Sequence, residues 1–112
     1  MPEMPYTRLG KTGLRVSVLG LGGIPLQRIG AAATVRLLDM AAERGVNFID
    51  SARGYSVSEE YLGAALRGRR DQFILASKSM ARSREAMRRD IESSLKNFRT
   101  DYIDLYQLHF VG

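Results

Sequence analysis

Residues 46–50 read Val46-Asn47-Phe48-Ile49-Asp50, a short apolar run that ends in a carboxylate. Two later runs have the same form: residues 73–78 end in Lys78, and residues 103–109 end in His109. Successive ends are 28 and 31 positions apart, the length of one strand and one helix. Strands joined by such crossovers are parallel, so their carboxyl ends open on one face of the sheet. An acid, an ammonium and an imidazole are therefore expected to meet there.

The segments between these runs have helical patterns. A first helix is predicted over residues 31–44, with its apolar stripe on Val35, Leu38, Ala41 and Ala42. The second is short, and Ser56-Val57-Ser58-Glu59 is typical of a capping box at its start, although Ser58 could itself be the N-cap. Glu59 and Glu60 are interpreted as first-turn partners of the helix dipole. Ser83 is expected to cap a third helix, whose apolar face carries Met87, Ile91, Leu95 and Phe98.

The first part of the chain has a different pattern. Residues 6–17 predict a β-hairpin, because two short runs flank the turn Gly10-Lys11-Thr12-Gly13. A buried strand is expected over residues 18–23, followed by a loop over residues 24–30. From residue 18 onward we expect one continuous set of βα units, so that residues 1–112 form a single incomplete domain.

Composition excludes several classes of protein. The chain has 112 residues, a formal charge of +5 and no cysteine, which rules out disulfides and cysteine-held clusters and favours the cytoplasm. The basic residues are dispersed among acidic ones and no aromatic side chains interleave them, so a nucleic-acid partner is not expected. No run approaches the roughly 18 apolar residues of a membrane helix, and the first residues lack a signal-peptide pattern.

Four motifs together resemble the aldo-keto reductases. They are residues 50–55 (Asp50-Ser51-Ala52-Arg53-Gly54-Tyr55), residues 58–63, Lys78, and residues 101–109. Residues 9–17 and 19–22 also match, so the resemblance runs from about Leu9 to the last residue. It implies the N-terminal half of a (β/α)8 barrel, with an N-terminal hairpin and about four parallel strands.

The resemblance also implies a reaction and a site. It predicts reduction of a small carbonyl compound with NADPH, or with NADH as the alternative cofactor. The catalytic tetrad falls on Asp50, Tyr55, Lys78 and His109. Gly22, Gly23 and Ile24, together with Asp50, are expected at the nicotinamide-ribose end, whereas most of the cofactor site lies outside this chain.

The chemistry explains why these residue types are needed. Hydride delivered to a carbonyl carbon leaves an alkoxide, which Tyr55 would protonate. The Lys78 ammonium would stabilise the phenolate that forms, and Asp50 would hold that ammonium in place. His109 would hydrogen-bond the carbonyl oxygen and orient it.

Two residues near the acid depart from the family's common pattern. Ser51 stands where a threonine is frequent, which keeps the hydroxyl. Ser56 stands where a glycine is usual, so a positive φ at this position would strain the backbone.

Two other interpretations remain open. Gly20-Leu21-Gly22-Gly23 could belong to an open dinucleotide-binding sheet, although Pro25 occupies the sixth position of that fingerprint. In the second, the chain is an inactive fragment, or a half-barrel module that needs a partner half. Residues 18–21 and 103–108 would then be unpaired sheet edges, and self-association or pairing with a complementary half is expected.

Overall fold

The hairpin at the start of the chain is present as predicted. The computed structural model describes residues 3–110. Strands β1 (Tyr6–Arg8) and β2 (Arg15–Ser17) pair antiparallel, with Tyr6 opposite Ser17. The glycines at the ends of the turn have φ angles of 55° and 79°, which favour residues without a Cβ. The Tyr6 hydroxyl donates to the Gly45 carbonyl at 2.6 Å and so ties the hairpin to the body of the fold.

Four parallel strands form the sheet, which confirms the predicted architecture. They are β3 (Gly20–Gly22), β4 (Phe48–Asp50), β5 (Ile74–Ser79) and β6 (Leu105–Leu108), in the order β3-β4-β5-β6. Their register aligns Gly22 with Asp50 and Asp50 with Ala76. The carboxyl ends of the strands therefore lie side by side along one edge of the sheet. The buried strand predicted over residues 18–23 is wrong in extent and burial: β3 covers only Gly20–Gly22 and is largely exposed, because within residues 3–110 it pairs on one side only.

The helices form one layer. They are α1 (Leu26–Glu43), α2 (Ser58–Ala65) and α3 (Arg84–Phe98), and α2 packs against both of the others. A short 3-10 turn at Arg70–Gln72 precedes β5. Within residues 3–110, no helix is long and apolar enough to cross a membrane. The core between helices and sheet consists of Leu26, Leu38, Ile49, Leu62, Ala65, Leu66, Phe73, Leu75 and Phe98.

Helix α1 begins earlier than predicted. The expected loop over residues 24–30 holds a helical turn that starts at Leu26, and Gly30 (φ 87°, ψ 171°) separates it from the regular helix. Pro25 stands at the N-cap, which its fixed φ suits. The predicted stripe was half wrong: Leu38 is buried, as is Ala41, but Val35 and Ala42 are exposed. Thr34 takes the inward position instead, and its hydroxyl donates to the Gly30 carbonyl at 2.8 Å.

The predicted capping box of α2 is wrong. The helix has Val57 at its N-cap and no side-chain cap. The hydroxyl of Ser58 is buried and donates to the Gly23 carbonyl at 2.8 Å, so it links α2 to the end of β3. The cap predicted for α3 is confirmed, since the amide of Ala86 donates to the Ser83 hydroxyl at 3.1 Å.

Candidate active site

An ion pair joins the ends of β4 and β5. The ammonium of Lys78 donates to Oδ1 of Asp50 at 3.0 Å and to the Ser51 carbonyl at 2.6 Å. The side chain of Lys78 is 13% exposed and that of Asp50 is 47% exposed. The carboxylate is therefore open to an incoming molecule, while the ammonium is held beneath it by two acceptors.

The loop after β4 carries Tyr55 to the same place. The amide of Arg53 donates to the Lys78 carbonyl at 2.8 Å, and the amide of Tyr55 donates to the Ala52 carbonyl at 3.1 Å. These bonds fold the loop back over β5. The Lys78 ammonium lies 5.1 Å from the centroid of the Tyr55 ring, within the range of a cation–π contact.

His109 directly follows β6. Its amide donates to the Ser79 carbonyl at 2.8 Å, which continues the pairing of β6 with β5. Its ring meets the Tyr55 ring edge to face, with centroids 5.7 Å apart, and stacks on Phe110 at 4.4 Å. The residue is 9% exposed, and Nδ1 is buried without a hydrogen-bond partner among residues 3–110.

The structure thus brings the four predicted catalytic residues together in one continuous cluster. Asp50 contacts Lys78, Lys78 lies over Tyr55, and Tyr55 meets His109. Within the described residues, Tyr55 and Lys78 meet through the ring face and share no hydrogen bond. Asp50, Lys78 and His109 lie at strand ends, as the sequence pattern predicted, and Tyr55 lies in the loop after β4.

The residues predicted at the cofactor differ in their surroundings. Gly22 pairs with Asp50 in the sheet, and a Cβ there would meet no atom within 4 Å. Ile24 is 47% exposed. Gly23 is buried instead, and a Cβ on it would lie 2.7 Å from the hydroxyls of Ser51 and Ser58. Gly22 therefore leaves open space beside Asp50 and Ile24 is exposed, whereas Gly23 is required by close packing.

Ser56 adopts the left-handed backbone conformation, which is the case in which strain is expected from its side chain. Its φ angle is 51°, a region in which residues with a Cβ are strained. This strain lies in the residue next to Tyr55. The loop keeps its conformation because its amides and carbonyls bond to β5 and to the first turn of α2.

Glu59 lies in the first turn of α2, as predicted, but it does more there than face the helix dipole. Glu59 is 1% exposed. Its Oε2 accepts from the hydroxyls of Ser77 at 2.7 Å and Ser94 at 2.6 Å, and its Oε1 accepts from the Asn97 amide at 3.1 Å. One signal in the sequence could have found it. Glu59 stands three positions before Leu62 and seven before Leu66, on the same helical stripe.

Tyr106 on β6 extends this buried network. Its hydroxyl lies 2.9 Å from that of Ser94. The single hydrogen of the Ser94 hydroxyl goes to Glu59, so Tyr106 donates to Ser94. Burial raises the pKa of Tyr106 above its ordinary 10.0, and the charge of Glu59 raises it further. The phenol therefore keeps the proton that it donates.

The fold and the cluster define a class of protein before any relative is considered. The carboxyl ends of the parallel strands bring together a carboxylate, an ammonium, a phenol and an imidazole. These are the groups of a proton-transfer site on a barrel-type fold. The chain belongs to the aldo/keto reductase family, whose model matches residues 18–112.

Individual relatives agree with this membership. The aldo-keto reductase YhdN of Bacillus subtilis is 34% identical over 96% of this chain. The structure of a Pseudomonas aeruginosa protein assigned to the aldo-keto reductases is 39% identical, with a TM-score of 0.89 over 96% of this chain. An aldo-keto reductase from Klebsiella pneumoniae, solved in complex with NADPH, is 33% identical, with a TM-score of 0.86 over 97% of this chain.

These relatives are longer than this chain. The matched region covers 38% of YhdN, 46% of the Pseudomonas aeruginosa chain and 40% of the Klebsiella pneumoniae chain. The 112 residues thus correspond to an N-terminal portion of a (β/α)8 barrel.

Proposed function

We propose that this chain supplies the proton-transfer residues of an oxidoreductase that reduces a small carbonyl compound to an alcohol with NADPH. The observation that carries the proposal is the contact series from Asp50 through Lys78 and Tyr55 to His109. NADH is the alternative cofactor. The absence of cysteine fits the cytoplasm as the proposed compartment.

In the proposed reaction, Tyr55 is the proton donor. As the carbonyl oxygen gains charge, the Tyr55 hydroxyl gives it a proton and becomes a phenolate. The Lys78 ammonium lies against that ring and stabilises the negative charge. Asp50 and the Ser51 carbonyl fix the ammonium in this place, so no large rearrangement is needed when the proton moves.

His109 is proposed to orient the carbonyl. Its ring is fixed by its edge contact with Tyr55 and by the stack on Phe110. A hydrogen bond from this imidazole to the substrate oxygen would hold that oxygen beside the phenol. The exposed apolar side chains of Met80 and Phe110 border the same region, which favours carbonyl compounds with an apolar body.

The residues present fit one end of the proposed cofactor. Gly22 leaves open space beside Asp50, and the Asp50 carboxylate is half exposed. Gly22, Ile24 and Asp50 would contact the nicotinamide-ribose end, with Gly23 shaping the turn behind them. When bound, the cofactor supplies the hydride. The NADPH complex of the Klebsiella pneumoniae relative supports this choice of cofactor.

A second candidate function is suggested by the sheet edges. Within residues 3–110, β3 pairs only with β4 and β6 only with β5. Val18, Leu19 and Leu108 beside these edges are 59%, 60% and 55% exposed. Edges of this kind recruit other strands. We propose that the chain works as a half-barrel module, pairing through β3 and β6 with a complementary half or with a second copy.

One experiment tests both candidates. NADPH fluorescence and carbonyl-dependent NADPH oxidation would be measured on the 112-residue chain and on the chain fused to the part of YhdN beyond the matched region. Light scattering would give the association state of each. We expect turnover from the fusion, and association with near-background turnover from the chain alone. A folded fusion that binds NADPH without turnover would contradict the reductase proposal, and a strictly monomeric chain would contradict the module.

A further inference from the structure

Glu59 is a buried carboxylate that the proposed reaction does not use. It is 1% exposed, and the ion pairs found among residues 3–110 do not include it. Burying a carboxylate is costly unless hydrogen bonds compensate its charge. Three donors do so here, one from β5 and two from α3.

The network around Glu59 reaches both strands that carry the candidate site, β5 directly and β6 through one further hydrogen bond. Ser77 immediately precedes Lys78 on β5. Ser94 passes the connection on to Tyr106, which lies on β6 three positions before His109. Because side chains alternate along a strand, Ser77 faces the helices while Lys78 faces the opposite side. One carboxylate on α2 thus connects to both strands whose ends hold the cluster.

We propose that Glu59 is a positioning residue, which sets the relative place of Lys78 and His109 by holding β5 through Ser77 and β6 through Ser94 and Tyr106. The proposal deepens the proposed function and rests on it for its catalytic meaning. The positional effect itself is a property of the fold and is measured without NADPH or a carbonyl.

The direction of each bond supports this role over one in stability alone. The hydroxyl hydrogens of Ser77 and Ser94 both go to Oε2, and the Tyr106 hydrogen goes to Ser94, so each donor has one defined acceptor. An apolar side chain at position 59 would stabilise the fold by burial alone, as Leu62 does on the same helix. Replacing buried ionic groups with apolar ones is often neutral for stability, whereas a satisfied polar network fixes one arrangement.

The chain contains a built-in probe of this arrangement. His109 is its single histidine, so the imidazole proton signals in an NMR spectrum report on the site without ambiguity. The test compares Glu59→Ala and Glu59→Gln with Glu60→Ala in the 112-residue chain. Glu60 is the matched control, because it is the adjacent residue on α2 and is exposed.

We expect Glu59→Ala to move the His109 signals and Glu59→Gln to move them less, because its amide can still bond to these partners. Glu60→Ala should leave them in place. If Glu59→Ala does not fold, Ser94→Ala carries the same test, since it separates Glu59 from Tyr106 and keeps the other two bonds. In an active fusion, Glu59→Ala should lower kcat by about tenfold to a hundredfold and leave the KM for NADPH unchanged. Unmoved His109 signals in a folded Glu59→Ala or Ser94→Ala variant would overturn the proposal.

Discussion

The two ends of β5 pack against the helices in different ways. At the amino end, Phe73 and Leu75 join the apolar core with Leu62 and Phe98. At the carboxyl end, Ser77 bonds to Glu59 and Ser79 bonds to Asp90. The first region is packed from buried apolar side chains, whereas the second gives each hydroxyl a fixed carboxylate partner. Apolar burial and fixed hydrogen-bond partners therefore occupy different halves of one interface, and we expect the first to govern stability and the second the placement of the candidate site.

Stability should fall most when the apolar half is changed. Phe98 on α3 is 1% exposed, and Phe98→Ala should lower the free energy of unfolding by about 3–5 kcal/mol, through lost burial and a new cavity. Urea titration of the two proteins measures the difference. A loss below about 1 kcal/mol would show that this end does not carry the stability of the interface.

A smaller loss is expected one helical turn away, in the polar half. Ser94→Ala removes one donor from buried Glu59 and should cost about 1–3 kcal/mol. Ser93→Ala is the control, because Ser93 makes no side-chain hydrogen bond within the described part of the chain, and its change should stay within about 0.5 kcal/mol. Equal losses of stability in Ser94→Ala and Ser93→Ala would contradict the role assigned to the bond between Ser94 and Glu59.

The polar half should also respond to alkaline pH. Burial raises the pKa of Tyr106 above 10.0, so the unfolded chain loses this proton at a lower pH than the folded chain. The associated stability is complete below pH 10.0 and is lost as the pH rises through the higher folded value. Urea unfolding on either side of pH 10.0 should therefore show a steeper decline for the wild type than for Tyr106→Phe. An equal decline in the stability of both proteins would contradict the raised pKa of Tyr106.

The smallest expected effect concerns the loop beside Tyr55. Ser56→Gly should raise the free energy of unfolding by up to about 1 kcal/mol. Relief of the left-handed strain, roughly 1–2 kcal/mol, outweighs the roughly 0.5–1 kcal/mol entropy cost of glycine. Ser56→Ala keeps the Cβ and should bring no gain. Thermal unfolding of the pair distinguishes these outcomes, and a gain in both would mean that the strain is not the cause.

The sequence predicted the parts of the molecule that depend on regular spacing. Asp50, Lys78 and His109 could be placed because strand ends recur at the length of a βα unit. The burial of Glu59 was missed because the capping pattern around Ser56 and Ser58 offered a local explanation. A tertiary hydrogen bond overrides that pattern, since the buried Ser58 hydroxyl donates to the Gly23 carbonyl and does not cap the helix.

The start of α1 and the role of Gly23 were missed for similar reasons. Pro25 suggested a loop, but proline also suits the start of a helix, and the break falls at Gly30. Gly23 was expected to lie close to another backbone or to the cofactor. A side chain does not fit at Gly23, because the hydroxyls of Ser51 and Ser58 approach it from the loop after β4 and from α2. Such contacts are not visible in local sequence patterns.

Tyr55 is proposed to donate the proton in carbonyl reduction, and removal of its hydroxyl tests that role. In the fusion with the rest of the YhdN barrel, Tyr55→Phe removes only the hydroxyl and keeps the ring against Lys78 and His109. Tyr61→Phe, on α2, is the matched control. We predict a fall in kcat of about 100- to 10,000-fold for Tyr55→Phe, with NADPH affinity unchanged, and near-normal turnover for the control. A Tyr55→Phe variant that keeps near-full turnover would contradict the account.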